Sequence, residues 1–169
     1  PGRGAQAGIR ALLPRSGVLN RAHPIHAEYA DAPLLNRRSI DQWLARQFAR
    51  RPHERRLALL FVDIDYFKRI NDLHGHACGD HCLRMVAAAL RTALRPQDVL
   101  GRYGGEEFIA LLPDCDVATA RGGAERLRLA VEDCTIEWQG SHLRLSVSIG
   151  VATRDPGEQA AELLDHADR

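Results

Sequence analysis

Two short segments of the chain carry acids and glycines at spacings that suit phosphate chemistry. Residues 63–80 begin with two acids one residue apart, Asp63 and Asp65, and also contain Lys68. The second segment reads Gly104-Gly105-Glu106-Glu107-Phe108. Carboxylates, a lysine and a glycine turn are the groups that a metal-assisted nucleotidyl transfer requires. The two segments together therefore predict a site where divalent cations and nucleotide phosphates meet.

The elements that must position these acids are a strand and a hairpin. Residues 57–62 are a continuous apolar run, which predicts a central strand buried on both faces, and the run stops at Asp63. Two glycines between strand-like runs at 99–103 and 106–112 predict a hairpin with a type I′ turn, which needs positive φ at both central positions. The carboxylates would then lie at the end of a strand and at the tip of a hairpin.

Periodicity predicts the remaining elements and the fold class. We expect helices at about 36–50, 66–73, 83–94, 117–131 and from Glu158, strands at 135–138 and 143–151, and a turn from Gly75 to Gly79. Asn36 and Ser39 compete as the N-cap of the first helix. Gly122 and Gly123 cost the fourth helix about 1 kcal/mol each relative to Ala, so it must depend on tertiary packing. This order predicts an α/β (α+β) sandwich, a mostly antiparallel sheet with helices on both faces.

The two acidic segments resemble those of the GGDEF family of diguanylate cyclases, which join two GTP molecules into cyclic di-GMP. The resemblance covers roughly residues 29–168 and implies a palm-like, ferredoxin-related core. It implies that Asp63, the backbone carbonyl of Ile64 and Glu107 hold two divalent ions, Mg²⁺ or Mn²⁺. Glu106 would lie near the metals and the attacking hydroxyl, and Lys68 would reach the phosphates.

The same resemblance assigns the residues that bind the nucleotide. Gly104 and Gly105 would let phosphates approach the backbone, and Phe67 would belong to the substrate site. Asn71 and Asp80 match the family's guanine readers. They are equally suited to be turn and cap residues, and both roles can hold at once.

A second motif resembles the family's product-inhibition site. Arg95 and Asp98 form an Arg-x-x-Asp pair at the family's distance from Gly104, and an arginine fork can hold guanine O6 and N7 or a phosphate. Arg126 resembles the second arginine of this inhibitory cyclic di-GMP site, with a plain surface role as the alternative. Arg95 also fits a helix-ending arginine, and Asp98 a loop acid.

Three functions remain open on the sequence. The first is a diguanylate cyclase domain; it needs a homodimer because each chain holds one GTP. The second is a GGDEF domain of little or no activity that senses cyclic di-GMP or GTP. The third, a class III cyclase making 3′,5′-cyclic GMP, fits the motif spacing poorly. The family continues past Asp168 with a lysine, an arginine and a closing strand, so we expect this chain to lack its last segment and to turn over slowly.

Composition sets the remaining expectations. Of 169 residues, 45% are apolar and 27% charged with a net charge of +1, which is typical of a globular domain and not of a nucleic-acid binder. Residues 1–27 hold four arginines and no acid, and they predict a flexible basic linker or tail before a domain at 28–169. We expect an upstream sensor in the parent protein and a cytoplasmic domain, whether or not the parent is tethered to a membrane. Four cysteines are interpreted as core thiols rather than zinc ligands: Cys78, Cys82, Cys115 and Cys134.

Overall fold

The computed structural model describes residues 34–50 and 56–154 and, beyond them, positions 163 and 167. In chain order the elements are β1 (Leu35–Asn36), α1 (Arg37–Arg50), β2 (Leu57–Ile64), α2 (Phe67–His74), α3 (His76–Ala93), β3 (Val99–Arg102), β4 (Glu107–Pro113), α4 (Val117–Glu132), β5 (Ile136–Trp138), β6 (Ser141–Leu143) and β7 (Val147–Thr153). Five strands form one sheet, and β5 and β6 form a separate hairpin. Helices pack against this sheet, so the predicted α+β sandwich is confirmed.

The strand β2 lies inside the sheet, whose order is β1-β3-β4-β2-β7. It pairs antiparallel with β4 on one side and with β7 on the other. All of its residues are buried except the half-buried Asp63. Only the short β1 runs parallel to its neighbour, β3. The predicted buried central strand and mostly antiparallel sheet are both confirmed.

Alternate residues of β2 face opposite sides of the sheet and build two apolar clusters. The even-numbered residues of Ala58–Ile64 pack with the buried faces of α3 and α4. The odd-numbered residues of Leu57–Phe61 pack with Ile40 and Leu44 of α1. Since side chains alternate along a strand, Asp63 faces the α1 side, at the end of the row that begins with Leu57.

The first helix begins as one of the two predicted caps requires. The side-chain Oδ1 of Asn36 accepts a hydrogen bond from the backbone N–H of Ser39 at 2.9 Å. Asn36 therefore caps α1, and Ser39 lies inside it. The two-residue strand β1, which pairs Leu35 with Gly101, was not predicted because two residues are too short for any periodicity.

The turn predicted from Gly75 to Gly79 is wrong. Gly75, at φ 84°, ends α2 and precedes α3, which begins at His76, so Gly79 lies inside a helix. A Cβ at Gly79 would collide with the side chain of Asn71, whose Cγ would lie 3.0 Å away. Gly79 is thus required by the close approach of α2 and α3 and not by a turn.

The strand predicted at 143–151 is confirmed over 147–151 but is wrong as a single strand, because residue 143 belongs to β6 and β7 begins at 147. β6 ends at Leu143 and pairs back on β5 through Gln139 and Gly140, which have φ of 46° and 80°. β7 begins at Val147 and pairs with β2. The expected strand at 135–138 begins one residue later, at Ile136.

The fourth helix is confirmed, and its apolar face packs in the core. A Cβ at Gly123 would lie 3.2 Å from Leu112 Cδ2, whereas one at Gly122 would meet nothing within 4 Å. The expected start of the last helix at Glu158 lies outside the described residues, where Leu163 and Ala167 alone are placed, both helical and buried. None of the helices in the described part of the chain is long and apolar enough to cross a membrane.

The cysteines generate a prediction about reactivity. Cys78, Cys82 and Cys115 are buried, and Cys134 is half-buried. Burial raises the pKa of Cys82 to about 12 and also raises the pKa of Cys115 and Cys134. Because the thiolate is the reactive form, the native protein should react slowly with an aromatic disulfide reagent at pH 8. After unfolding in guanidinium all four thiols should react. Rapid native-state reaction of more than one thiol would contradict the burial of this group.

Candidate active site

The two carboxylates predicted to hold metal lie directly opposite each other. In the register of β2 and β4, Asp63 is paired with Glu107. Residues paired in this way share one face of the sheet, with Cβ atoms about 4.5–5.5 Å apart. Both residues are half-buried. The fold therefore brings together two acids that are 44 positions apart in the chain, at the end of two buried strands.

The loop between β3 and β4 differs from the predicted turn. Neither Gly104 nor Gly105 has φ in the left-handed region, so the type I′ prediction is wrong. The hairpin itself is confirmed, since β3 and β4 pair antiparallel up to Arg102 and Phe108. The connection spans residues 103–106, and a four-residue loop does not need the mirror-image turn that a two-residue loop requires.

Hydrogen bonds fix the shape of this loop, since it lacks the tight turn that was predicted. The backbone N–H groups of Tyr103 and Gly104 donate to the carbonyl of Glu107, at 2.8 and 3.3 Å. The Arg102 guanidinium donates from Nε to the carbonyls of Gly104 and Gly105, both at 3.2 Å, and from Nη2 to that of Gly105 at 2.7 Å. Arg102 was not predicted as a site residue, although it shapes the loop.

The two glycines of the loop have different surroundings. A Cβ at Gly104 would collide with the carboxylate of Glu107 and lie 2.9 Å from its Cδ. A Cβ at Gly105 would meet nothing within 4 Å. Gly104 thus makes room for a carboxylate of the site, while Gly105 leaves an open surface.

The turn after β2 leads from Asp63 to Lys68. The backbone N–H of Ile64 donates to the carbonyl of Glu106 at 3.4 Å, which joins this turn to the β3–β4 loop. Tyr66 takes a left-handed conformation at φ 57° and α2 begins at the next residue, the buried Phe67. Lys68 is exposed, and none of the ion pairs between described residues includes it. Its ammonium can therefore reach an anionic ligand.

The two predicted guanine readers lie where α2 and α3 meet. The Asn71 side chain of α2 lies against the backbone of Gly79 in α3, and Asp80 is the next residue of that helix. Asn71 is half-buried and Asp80 is exposed. Because Gly79 lets the two helices approach closely, the Asn71 amide lies against the residue that immediately precedes Asp80.

The predicted inhibitory motif lies at the other end of β3. The Asp98 carboxylate accepts from the backbone N–H and the Nε of Arg95, at 2.9 and 3.2 Å. The Asp98 side chain is wholly buried, and its Oδ1 has no hydrogen-bond partner. The pKa of Arg95 is raised, since the hydrogen bond and charge of Asp98 outweigh the lowering effect of burial. The buried acid therefore fixes the orientation of the partly exposed arginine.

Arg126 approaches the same end of the fold from α4. Its Nε donates to the carbonyl of Ala93, at the end of α3, at 2.7 Å. The side chain of Arg126 is exposed. Val99, which begins β3, pairs with Leu111, four residues along β4 from Glu107, so about 14 Å separates the two ends of the ladder. The arginines and the opposed carboxylates thus occupy separate ends of the sheet.

The donor set at Asp63 and Glu107 fits a hard divalent cation. Two carboxylates with a backbone carbonyl nearby are oxygen ligands, which Mg²⁺ and Mn²⁺ prefer. Among the described residues, no three His, Cys, Asp or Glu side chains form a ready metal-binding group.

The fold and these residues define an α+β sandwich with an acidic site at the end of its central strands. The family model described as diguanylate cyclase, GGDEF domain, matches residues 32–169, and the chain belongs to this family. It is 38% identical over 137 residues to the diguanylate cyclase DgcP of Pseudomonas aeruginosa. That match covers 80% of this chain but 20% of DgcP, so the chain spans about a fifth of the length of this relative.

Solved structures of the family are similar to this one. The crystal structure of the GGDEF domain of DgcB from Caulobacter crescentus, in complex with c-di-GMP, is 32% identical with a TM-score of 0.75, covering 80% of this chain and 81% of that one. The structure of the active GGEEF domain of a diguanylate cyclase from Vibrio cholerae is 31% identical with a TM-score of 0.69, covering 80% and 87%.

Sequence reasoning assigned no role to Arg102, Asp65, Ser146 or Ser148. Arg102 acts on backbone carbonyls, and its position just before the loop was the one signal available. The Asp65 carboxylate accepts from the hydroxyls of Ser146 and Ser148, which are more than 80 residues away. A pair of serines one residue apart at the start of a strand is too common a pattern to reveal such a contact.

The two glycines form a matched pair for a test of the site. Gly104→Ala should displace the Glu107 carboxylate and raise the Mg²⁺ concentration needed for half-maximal GTP binding by about tenfold, or about 1.4 kcal/mol. Gly105→Ala should raise it much less, because its Cβ meets nothing. Titration of Mg²⁺ at fixed fluorescent GTP analogue measures both. Equal effects of the two changes would show that the contact with Glu107 is unimportant.

Proposed function

We propose that this domain condenses two GTP molecules into one cyclic di-GMP and two pyrophosphates. The observation that carries the proposal is the pairing of Asp63 with Glu107 beside a glycine loop. Membership of the family supports it. So does the similarity to the active GGEEF domain from Vibrio cholerae, since Glu106 and Glu107 follow two glycines here as well.

The reaction forms two phosphodiester bonds in two equivalent steps. In each, the 3′-hydroxyl oxygen of one GTP bonds to the α-phosphorus of the other, and the bond from that phosphorus to pyrophosphate breaks. Bound Mg²⁺ or Mn²⁺ would neutralise charge on the phosphates and on the attacking oxygen. Asp63, Glu107 and the carbonyl of Ile64 would hold the ions. Glu106 would lie beside the 3′-hydroxyl and accept its proton.

The remaining residues would position the nucleotide. Lys68, exposed at the start of α2, would bind the triphosphate, and the open side of Gly105 would let a phosphate approach the backbone. The exposed carboxylate of Asp80 can accept from the ring N–H and the exocyclic amine of guanine, with the Asn71 amide beside it. Adenine lacks these two donors in that arrangement, so an adenine nucleotide would bind more weakly.

Each chain offers one such site, and the reaction needs two GTP molecules facing each other. We therefore propose a homodimer with its two sites opposed. DgcP is about five times longer than the segment matched here. This supports a further regulatory or sensor segment in the parent protein that controls how two domains meet.

Product inhibition is proposed for the cluster of Arg95, Asp98 and Arg126. The DgcB domain solved with c-di-GMP supports a product site in a similar domain. In this chain the buried Asp98 carboxylate orients Arg95. Cyclic di-GMP has two guanines and two phosphates, more than one arginine can satisfy, so Arg126 or a second subunit would supply the other contacts.

The proposal is tested by incubating the protein with GTP and Mg²⁺ and identifying the product by mass spectrometry. We expect cyclic di-GMP from the wild type and none from Asp63→Ala or Glu107→Ala, each of which removes a metal ligand. Melting temperature is the control for folding. A protein that binds cyclic di-GMP and forms none would refute the cyclase and favour the sensor, and 3′,5′-cyclic GMP as product would indicate a class III reaction.

Base selectivity should depend on Asp80. We expect the wild type to bind GTP at least tenfold more tightly than ATP in the presence of Mg²⁺, as measured by calorimetry. Asp80→Ala should remove this preference with a smaller effect on ATP affinity, because the phosphate contacts are unchanged. Asp41→Ala, at an exposed acid on α1, is the matched control. Equal affinities of the wild type for GTP and ATP would contradict the assignment of Asp80 as a guanine-binding residue.

Arg95 should control the affinity for product. Arg95→Ala removes a guanidinium whose bidentate contacts are worth about 1–3 kcal/mol, so it should weaken cyclic di-GMP binding by about tenfold or more. GTP binding should be largely unchanged, since the site lies at the other end of the β3–β4 ladder. Arg84→Ala, at an exposed arginine on α3, should leave both affinities unchanged. Wild-type affinity for cyclic di-GMP in Arg95→Ala would place the product elsewhere.

A further inference from the structure

The turn after β2 is tied to β7 by one acidic side chain. The Oδ2 atom of Asp65 accepts from the hydroxyl of Ser146 at 2.7 Å, and Oδ1 accepts from the hydroxyl of Ser148 at 2.6 Å. The backbone N–H of Asp65 also donates to the carbonyl of Ser146 at 3.0 Å. Hydroxyl donors at such distances from an ionised acceptor make strong bonds. Three hydrogen bonds thus join this single residue to the start of another strand.

Asp65 lies between the proposed metal ligands and the start of α2. The residue lies between the pair Asp63–Ile64, which presents a carboxylate and a carbonyl to the site, and Tyr66, whose left-handed backbone starts α2. The β2–β7 ladder ends at Ile64, opposite Val147. Beyond it, the backbone must turn before it reaches Lys68. Asp65 is the first residue of this turn.

Hydrogen bonds hold the side chain of Asp65 against β7. Both of its carboxylate oxygens are engaged by serine hydroxyls. The serines lie one residue apart near the start of β7, so their side chains point to the same face of the strand. Both oxygens are thus engaged within the protein, beside Asp63, which is paired with Ser148 in the β2–β7 register.

We infer that Asp65, held by Ser146 and Ser148, is a positioning residue. It fixes the conformation of the turn that leads from Asp63 to Lys68. This rests on the proposed function, because the turn would carry metal ligands and Lys68. Without the tie, the carbonyl of Ile64 and the start of α2 lose their fixed distance from Glu107. Affinity for the metal–nucleotide complex falls as a result, although Asp65 touches neither.

The test measures binding without turnover. The probe is a fluorescent, non-hydrolysable GTP analogue titrated with Mg²⁺. Asp65→Ala and the double change Ser146→Ala/Ser148→Ala should each raise the Mg²⁺ concentration for half-maximal binding by about tenfold. The triple variant should be no worse than either, since all three residues form one network. Asp65→Asn should stay within about threefold, because an amide can accept from one serine and donate to the other.

Three results would overturn the inference. If the serine double variant bound the GTP analogue with the wild-type Mg²⁺ dependence, the hydrogen bonds to Asp65 would have no effect on the site. An Asp65→Asn variant as weak as Asp65→Ala would show that the charge acts directly on the cation. If the Asp65→Ala variant also lost cyclic di-GMP binding at Arg95 and melted at a lower temperature, its weaker Mg²⁺ binding would come from a general folding defect and not from the turn.

The outcome is distinguishable from failure of the proposed function. A wild type that binds the analogue with Mg²⁺ yet forms no cyclic di-GMP refutes the cyclase and leaves the Asp65 comparison fully measurable. A wild type that binds no nucleotide refutes both, since the turn would then have nothing to position.

Discussion

The antiparallel pairing of β2 with β4 is the constraint on which the rest of the site depends. It fixes Asp63 opposite Glu107, and like charges placed directly opposite on a sheet destabilise the pair. Burial of the apolar residues that precede Asp63 and follow Glu107 on the same strands offsets this cost. A divalent cation shared by the two carboxylates would turn the repulsion into attraction, so the sheet builds the site before a ligand arrives.

Side chains, more than turn geometry, shape the two loops that leave these strands. Arg102 binds the carbonyls of the β3–β4 loop, and Asp65 binds the start of β7. The glycines of the site serve by being small: Gly104 makes room for the Glu107 carboxylate, and Gly79 makes room for the side chain of Asn71. Each of these contacts joins residues that the sheet or the helix pair has already brought near.

Local pattern predicted the elements whose signal is local. The apolar run before Asp63 and the amphipathic α4 are examples, and the two motifs placed the acids on the correct elements. The errors arose where a tertiary contact decides the structure. Gly79 resembles a turn residue until Asn71 is packed against it, and residues 143–151 read as one strand until β6 pairs with β5. The burial of Asp98 and the contacts of Asp65 likewise depend on segments that are distant in the chain. No motif spacing in the sequence indicates them.

The most direct measurement of the central claim is a crystal structure of the protein with Mn²⁺ and a non-hydrolysable GTP analogue, collected at a wavelength where manganese scatters anomalously. The account predicts an anomalous peak that touches one carboxylate oxygen of Asp63 and one of Glu107, each at about 2.0–2.6 Å. A nucleotide-bound structure in which manganese contacts neither carboxylate, or contacts Asp65 in place of Asp63, would contradict it.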